Sequence, residues 1–196
     1  IWVTDQQLPR LTLRGNAPPM ISGDSVLAGF DNGRLLAVSL LSGTTLWETG
    51  VAQARGSSEL QRLIDIDSGL AIDGDDLFSV AFQGRVARIA RETGVVVWAR
   101  DLSSNRGLAI DDESIYVSTS EGEVVKLERS TGSEVWRQKA LLRRQLSAPA
   151  IYNGHVVVAD LDGVIHFLNP LDGAFVARAE AGARVTLVAG PVSLPT

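Results

Sequence analysis

An all-β fold made of repeated four-stranded antiparallel units is what this 196-residue sequence predicts, and three observations carry that prediction. A motif recurs four times along the chain. Two glycines and a tryptophan keep a fixed spacing inside it. Between the glycines, apolar and polar side chains alternate as they do along a half-buried strand.

The copies are DNGRLLAVSLLSGTTLWE from Asp31, QGRVARIARETGVVVWA from Gln83, EGEVVKLERSTGSEVWR from Glu121 and DGVIHFLNPLDGAFVAR from Asp162. Gly33, Gly84, Gly122 and Gly163 are each followed ten residues later by Gly43, Gly94, Gly132 and Gly173. Fourteen residues after the first glycine stands Trp47, Trp98 or Trp136, with Ala177 at that offset in the fourth copy.

Each copy reads as two hairpins. Asn32-Gly33 is a two-residue turn signal of the type I′ kind, which needs φ > 0 at both central residues. The second turns, Ser42-Gly43, Thr93-Gly94, Thr131-Gly132 and Asp172-Gly173, place a short polar residue before glycine. Segments such as VVKLE between the turns are rich in β-branched and apolar residues, as strands are. Upstream lie APPMISGDSVLAGF, GLAIDGDDLFSVAF, GLAIDDESIYVSTS and APAIYNGHVVVADL, equivalent strand pairs with their own turns.

Four strands in roughly 40 residues is the signature of a β-propeller blade; the first glycines are separated by 51, 38 and 41 residues (33 to 84, 84 to 122, 122 to 163). The expected organisation is a single partial propeller domain over 1–196, with blades at about 15–49, 68–100, 107–138 and 147–178. Trp47, Trp98 and Trp136, late in the fourth strands, are expected to dock one blade on the next. IWV at the start resembles the end of a preceding fourth strand, with Trp2 in the docking position, and VAGPVSLPT near the end reads as a further first strand. The expectation is part of a larger ring of about eight blades, or half a ring completed by a second copy.

Composition narrows the function. The formal net charge is −5, with 18 basic and 23 acidic residues interspersed, so no basic stripe is offered to nucleic acid. Cysteine is absent, which removes disulfides, thiolate metal sites and a thiol nucleophile. No apolar run reaches the roughly 18 residues of a membrane-spanning helix. No catalytic, cofactor or metal constellation stands out. His155 falls in an NGH turn and His166 in a strand, without partners at persuasive spacing. The acidic DIDSGLAIDGDD lacks the fixed ligand positions of a calcium loop, and Asp73 to Asp76 reads as a hairpin tip.

Two irregular segments break the repeat, and binding function concentrates in such places because loops vary where blades cannot. GSSELQRLIDID, residues 56–67, adds some ten residues between Trp47 and the second blade; Ser58 and Gln61 form a weak capping box, and Asp65 and Asp67 alternate onto one side. RLTLRGNAPP precedes the first blade and sets Leu11 and Leu13 on one side of an extended segment, beside Arg14.

Together with the repeat endings, LTLRGNAP, ARGSSELQRLIDID and LLRRQLSAPAIYNGHVVVADLDG resemble the BamB family, propeller lipoproteins of the bacterial outer-membrane β-barrel assembly machinery. The resemblance runs along essentially the whole chain. It implies a non-enzymatic scaffold without cofactors at the periplasmic face of the outer membrane, held there by an N-terminal lipid that this chain lacks. It implies binding to the POTRA modules of BamA through Leu11, Leu13, Arg14, Asp65 and Asp67, in support of inserting barrel-protein clients that arrive unfolded. Two other readings compete. Quinoprotein dehydrogenases are also tryptophan-docked propellers, although their metal ligands and catalytic acid are not visible here, and a generic propeller adaptor would differ only in its partner.

Overall fold

The computed structural model describes residues 18–30, 33–51, 70–82 and 84–181. The chain divides into two compact units, Ile1–Asn105 and Arg106–Thr196. Each holds two four-stranded antiparallel sheets joined strand to strand in sequence order.

In the first unit one sheet comprises β1 (Met20–Ser22), β2 (Ser25–Gly29), β3 (Arg34–Ser39) and β4 (Thr45–Gly50). The other comprises β5 (Leu70–Asp73), β6 (Asp76–Val80), β7 (Arg85–Ala90) and β8 (Val96–Asp101). The second unit repeats the plan with β9 (Leu108–Ile110), β10 (Ser114–Ser118), β11 (Val124–Glu128) and β12 (Glu134–Gln138). It closes with β13 (Ala150–Tyr152), β14 (His155–Ala159), β15 (Val164–Leu168) and β16 (Phe175–Glu180). These are the four-stranded blades of a propeller.

Period-two alternation decides which residues meet. Leu27, Ala37 and Trp47 lie side by side across β2, β3 and β4, so they share one face of the first sheet. Leu77 opposite Ile89 and Ser79 opposite Ala87 share a face of the second. Leu27, Leu35, Ala37 and Trp47 pack with Leu77, Ala87 and Ile89 into one buried cluster between the two sheets. Each fully buried Leu or Ile contributes about 1.5–3 kcal/mol. In the second unit Tyr116, Lys126 and Trp136 form the corresponding row, facing Val156, Val158 and Leu168.

All four third–fourth strand pairs carry a register shift at one place, after Ala37, Arg88, Lys126 and Phe167. Such a bulge bends and twists the fourth strand just where the repeat sets its tryptophan.

A type I′ turn is expected at Asn32-Gly33; the corresponding turns of the third and fourth blades take another form. Gly122 donates to the Thr119 carbonyl at 3.1 Å and Thr119 to that of Glu123 at 2.8 Å, with only the glycine in left-handed φ (94°). Gly163 repeats this with Asp160 and Val164. This is the longer hairpin, an ordinary turn closed by one left-handed glycine, and it needs one positive φ rather than two. Asn32 itself lies outside the described residues.

Candidate protein-binding site

One repeated tryptophan in each unit, and the residue two beyond it, make the same three contacts. Trp47 donates from Nε1 to the Arg91 carbonyl at 2.8 Å, and Trp136 to the Pro170 carbonyl at 3.0 Å. Arg91 and Pro170 each stand three residues before the second glycine of their own blade. The indole lies on that glycine: a Cβ on Gly94 would stand 2.6 Å from ring carbons of Trp47, and one on Gly173 2.7 Å from Trp136. Two residues beyond the tryptophan, Thr49 Oγ1 donates to the Gly94 carbonyl and Gln138 Nε2 to that of Gly173.

The second glycine therefore meets two demands, left-handed φ (71° at Gly94, 72° at Gly173) and a floor for the neighbouring blade's indole. The turn alone explained it in the sequence. The contact of this glycine with the tryptophan of the preceding blade leaves no mark in the local spacing. Trp98 is also buried, with the Arg100 guanidinium 6.0 Å from its ring centroid. Leu11, Leu13, Arg14, Asp65 and Asp67 lie outside the described residues.

His166 and Asp160, both 2% exposed, form a pair that sequence reasoning missed. His166 Nε2 lies 2.9 Å from Asp160 Oδ2, and Arg144 donates to the same oxygen at 2.8 Å. Asp160 Oδ1 accepts the Val164 and Asp162 N–H groups. Burial alone would push the Asp160 carboxyl up; the hydrogen bonds from His166, Val164 and Arg144 outweigh it and hold the group below the usual carboxylate range. The visible signal was the position of Asp160, three residues before Gly163, where Thr119 accepts the Glu123 N–H in the preceding blade. Nearby, burial and a hydrogen bond to Asp111 push the Tyr116 hydroxyl up to about 12. Among the described residues no group of three or more His, Asp or Glu is placed to hold a metal ion.

The connection from β12 to β13 is an interblade loop tied to the blades on both sides. Leu141 and Leu146, each 1% exposed, anchor it in the core of the second unit. Arg143 N–H donates to the Glu121 carbonyl at 2.8 Å, and Leu161 N–H to the Arg144 carbonyl at 3.0 Å. Leu142, Arg143, Arg144 and Gln145, between the anchors, are exposed.

Strands of this kind, packed through a tryptophan on a glycine of the next sheet, define a β-propeller repeat protein. The family model described as "Outer membrane protein assembly factor BamB" matches residues 1–138 and 115–192. The chain belongs to that family. Its relative of that name from Pseudomonas aeruginosa is 44% identical over 174 residues, covering 89% of this chain and 46% of the relative. The chain thus spans about half the length of the curated relatives it matches. The crystal structure of BamB from Moraxella catarrhalis superposes with a TM-score of 0.85 at 31% identity, over 91% of this chain and 54% of that one. A europium-containing methanol dehydrogenase, 12% identical, superposes at 0.64 over 86% of this chain and 41% of its own; that likeness is one of fold.

Proposed function

We propose that this chain is a scaffold of the outer-membrane β-barrel assembly machinery, a protein-binding module without catalytic chemistry. It docks the POTRA modules of BamA through Leu11, Leu13 and Arg14 in one irregular segment and Asp65 and Asp67 in the other. The family-model match over residues 1–138, which spans both segments, is the observation that supports the reading most directly. The chemistry agrees: two apolar anchors beside an arginine, with paired carboxylates, can form a compact hot spot in which one arginine is worth about 2 kcal/mol or more. The site of action is the periplasmic face of the outer membrane, where the scaffold supports insertion of barrel proteins that arrive unfolded.

Calorimetric titration of the chain with purified POTRA modules tests this. Saturable binding is expected, lost in Arg14→Glu and in Asp65→Lys while circular dichroism stays that of the parent. A folded chain that does not bind, or variants that bind as the parent does, overturn the assignment. Dye reduction after addition of quinone and calcium would favour a dehydrogenase instead.

A further inference from the structure

We propose that the β12–β13 loop is a preformed docking ridge in which Leu142 and Arg143 take an apolar anchor and a carboxylate from the scaffold's protein partner. The proposal rests on the scaffold reading above and adds a contact to it. Three independent observations point there.

The first is the backbone. Arg143 (φ 66°) and Gln145 (φ 52°) both stand in the left-handed region although neither is glycine, a conformation few non-glycine residues adopt. Such strain persists only where the surroundings impose it, and it concentrates at ligand clamps and binding sites. Here the surroundings do impose it. Leu141 and Leu146 fix both ends, and two backbone hydrogen bonds fix the middle. Gly122 lies so close beneath that a Cβ there would stand 2.7 Å from the Leu141 carbonyl oxygen. A loop held this way loses little freedom on binding, which is what preorganisation contributes to affinity.

The second is what the loop presents. Leu142 is 44% exposed, and Leu161, whose N–H holds the Arg144 carbonyl, is 40% exposed. Apolar side chains therefore flank the turn on a scaffold that spends other leucines of the same loop in its core.

The third is charge. The Arg143 side chain makes no hydrogen bond, ion pair or ring contact among the described residues, whereas most of the described arginines are committed to such partners. Its neighbour Arg144 is committed to Asp160 and Asp162. On a chain of net charge −5, an uncommitted guanidinium carried on a fixed backbone fits a carboxylate from outside, with bidentate geometry available. In the repeat, this connection of fourth to first strand occupies the position that residues 52–69 hold between β4 and β5.

The test titrates the parent chain, Arg143→Glu, Arg143→Lys, Leu142→Ser and Arg14→Glu with purified POTRA modules of BamA at low and high salt. Expected is at least a tenfold weaker Kd for Arg143→Glu, a several-fold loss for Leu142→Ser, and partial rescue by Arg143→Lys. The effect of Arg143→Glu should shrink at high salt, as a charge contact does. Melting temperatures are expected to stay within a degree or so of the parent, because neither exposed side chain supports the core. If the parent binds, Arg14→Glu fails to bind and Arg143→Glu binds as the parent does, the ridge is overturned while the scaffold reading stands. If the parent does not bind, both fall.

Discussion

The seam between the two sheets of the first unit and its counterpart in the second close with the same three contacts and are filled differently. In the first, Trp47 and Thr49 seize the Arg91 and Gly94 carbonyls over a cluster of Leu27, Leu35, Ala37, Leu77, Ala87 and Ile89. In the second, Trp136 and Gln138 seize those of Pro170 and Gly173, and Lys126 Nζ adds a further donor to Pro170 at 2.8 Å. The filling there includes Tyr116, bonded to Asp111, and buried His166, bonded to Asp160. The repeat thus dictates how sheets are clasped, while what lies beneath the clasp is free to vary. Buried polarity is found where an interblade loop is also tied down: Arg144 of the β12–β13 loop ends on Asp160.

Removing the indole is the largest expected break. Trp47 is 9% exposed and spans the first seam, so Trp47→Ala should cost about 3–5 kcal/mol in chemical denaturation. Trp136 is less completely buried and shares its seam with Tyr116, 6.0 Å away between ring centroids. Its alanine variant should fall at the lower end of that range. Equal losses would mean that the clasp outweighs the filling.

Much of this was legible in the sequence, because glycine at a left-handed turn and alternation along a strand are local requirements that leave local marks. The four blades and their tryptophans follow from those marks. Other features depend on residues brought together from afar. Asp160 and His166 are six apart on either side of a turn, and nothing in the spacing says that a loop some twenty residues upstream will cover them with Arg144. The meeting of Trp47 with Gly94 joins residues 47 positions apart, and the turn already explained the glycine. The strain at Arg143 and Gln145 leaves no compositional trace at all, since glycine or asparagine would be the local choice there.

Charge beneath the second clasp gives the next effect. Asp160→Asn should cost about 3 kcal/mol at pH 7, because it takes the charge from a buried carboxylate that accepts several hydrogen bonds. The folded carboxyl titrates below its unfolded value of about 3.9, so its contribution is complete above that value and disappears as pH falls through the lower folded one. Parent and variant should therefore converge in acid. Amide exchange along β14 and β15 would report it, with β2 and β3 as the reference, because the buried polar residues described in the first unit are the uncharged Ser79 and Ser104. A gap that stays constant down to pH 2 would exclude the carboxylate as its source.

The smallest effect separates the two clasps themselves. Thr49→Val keeps the shape of the side chain and removes one donor to the Gly94 carbonyl, a loss of about 1 kcal/mol. Gln138→Leu removes the donor to Gly173 and also the Oε1 that accepts the Ala140 N–H at 2.9 Å, at the start of the β12–β13 loop. It should cost about twice as much and raise amide exchange into that loop, whereas Thr49→Val leaves the loop untouched. If both variants lose the same stability and Ala140 stays protected, the side chain two residues beyond the tryptophan serves only the clasp. If Ala140 opens in Gln138→Leu alone, that side chain couples the seam of the second unit to the exposed ridge beyond it.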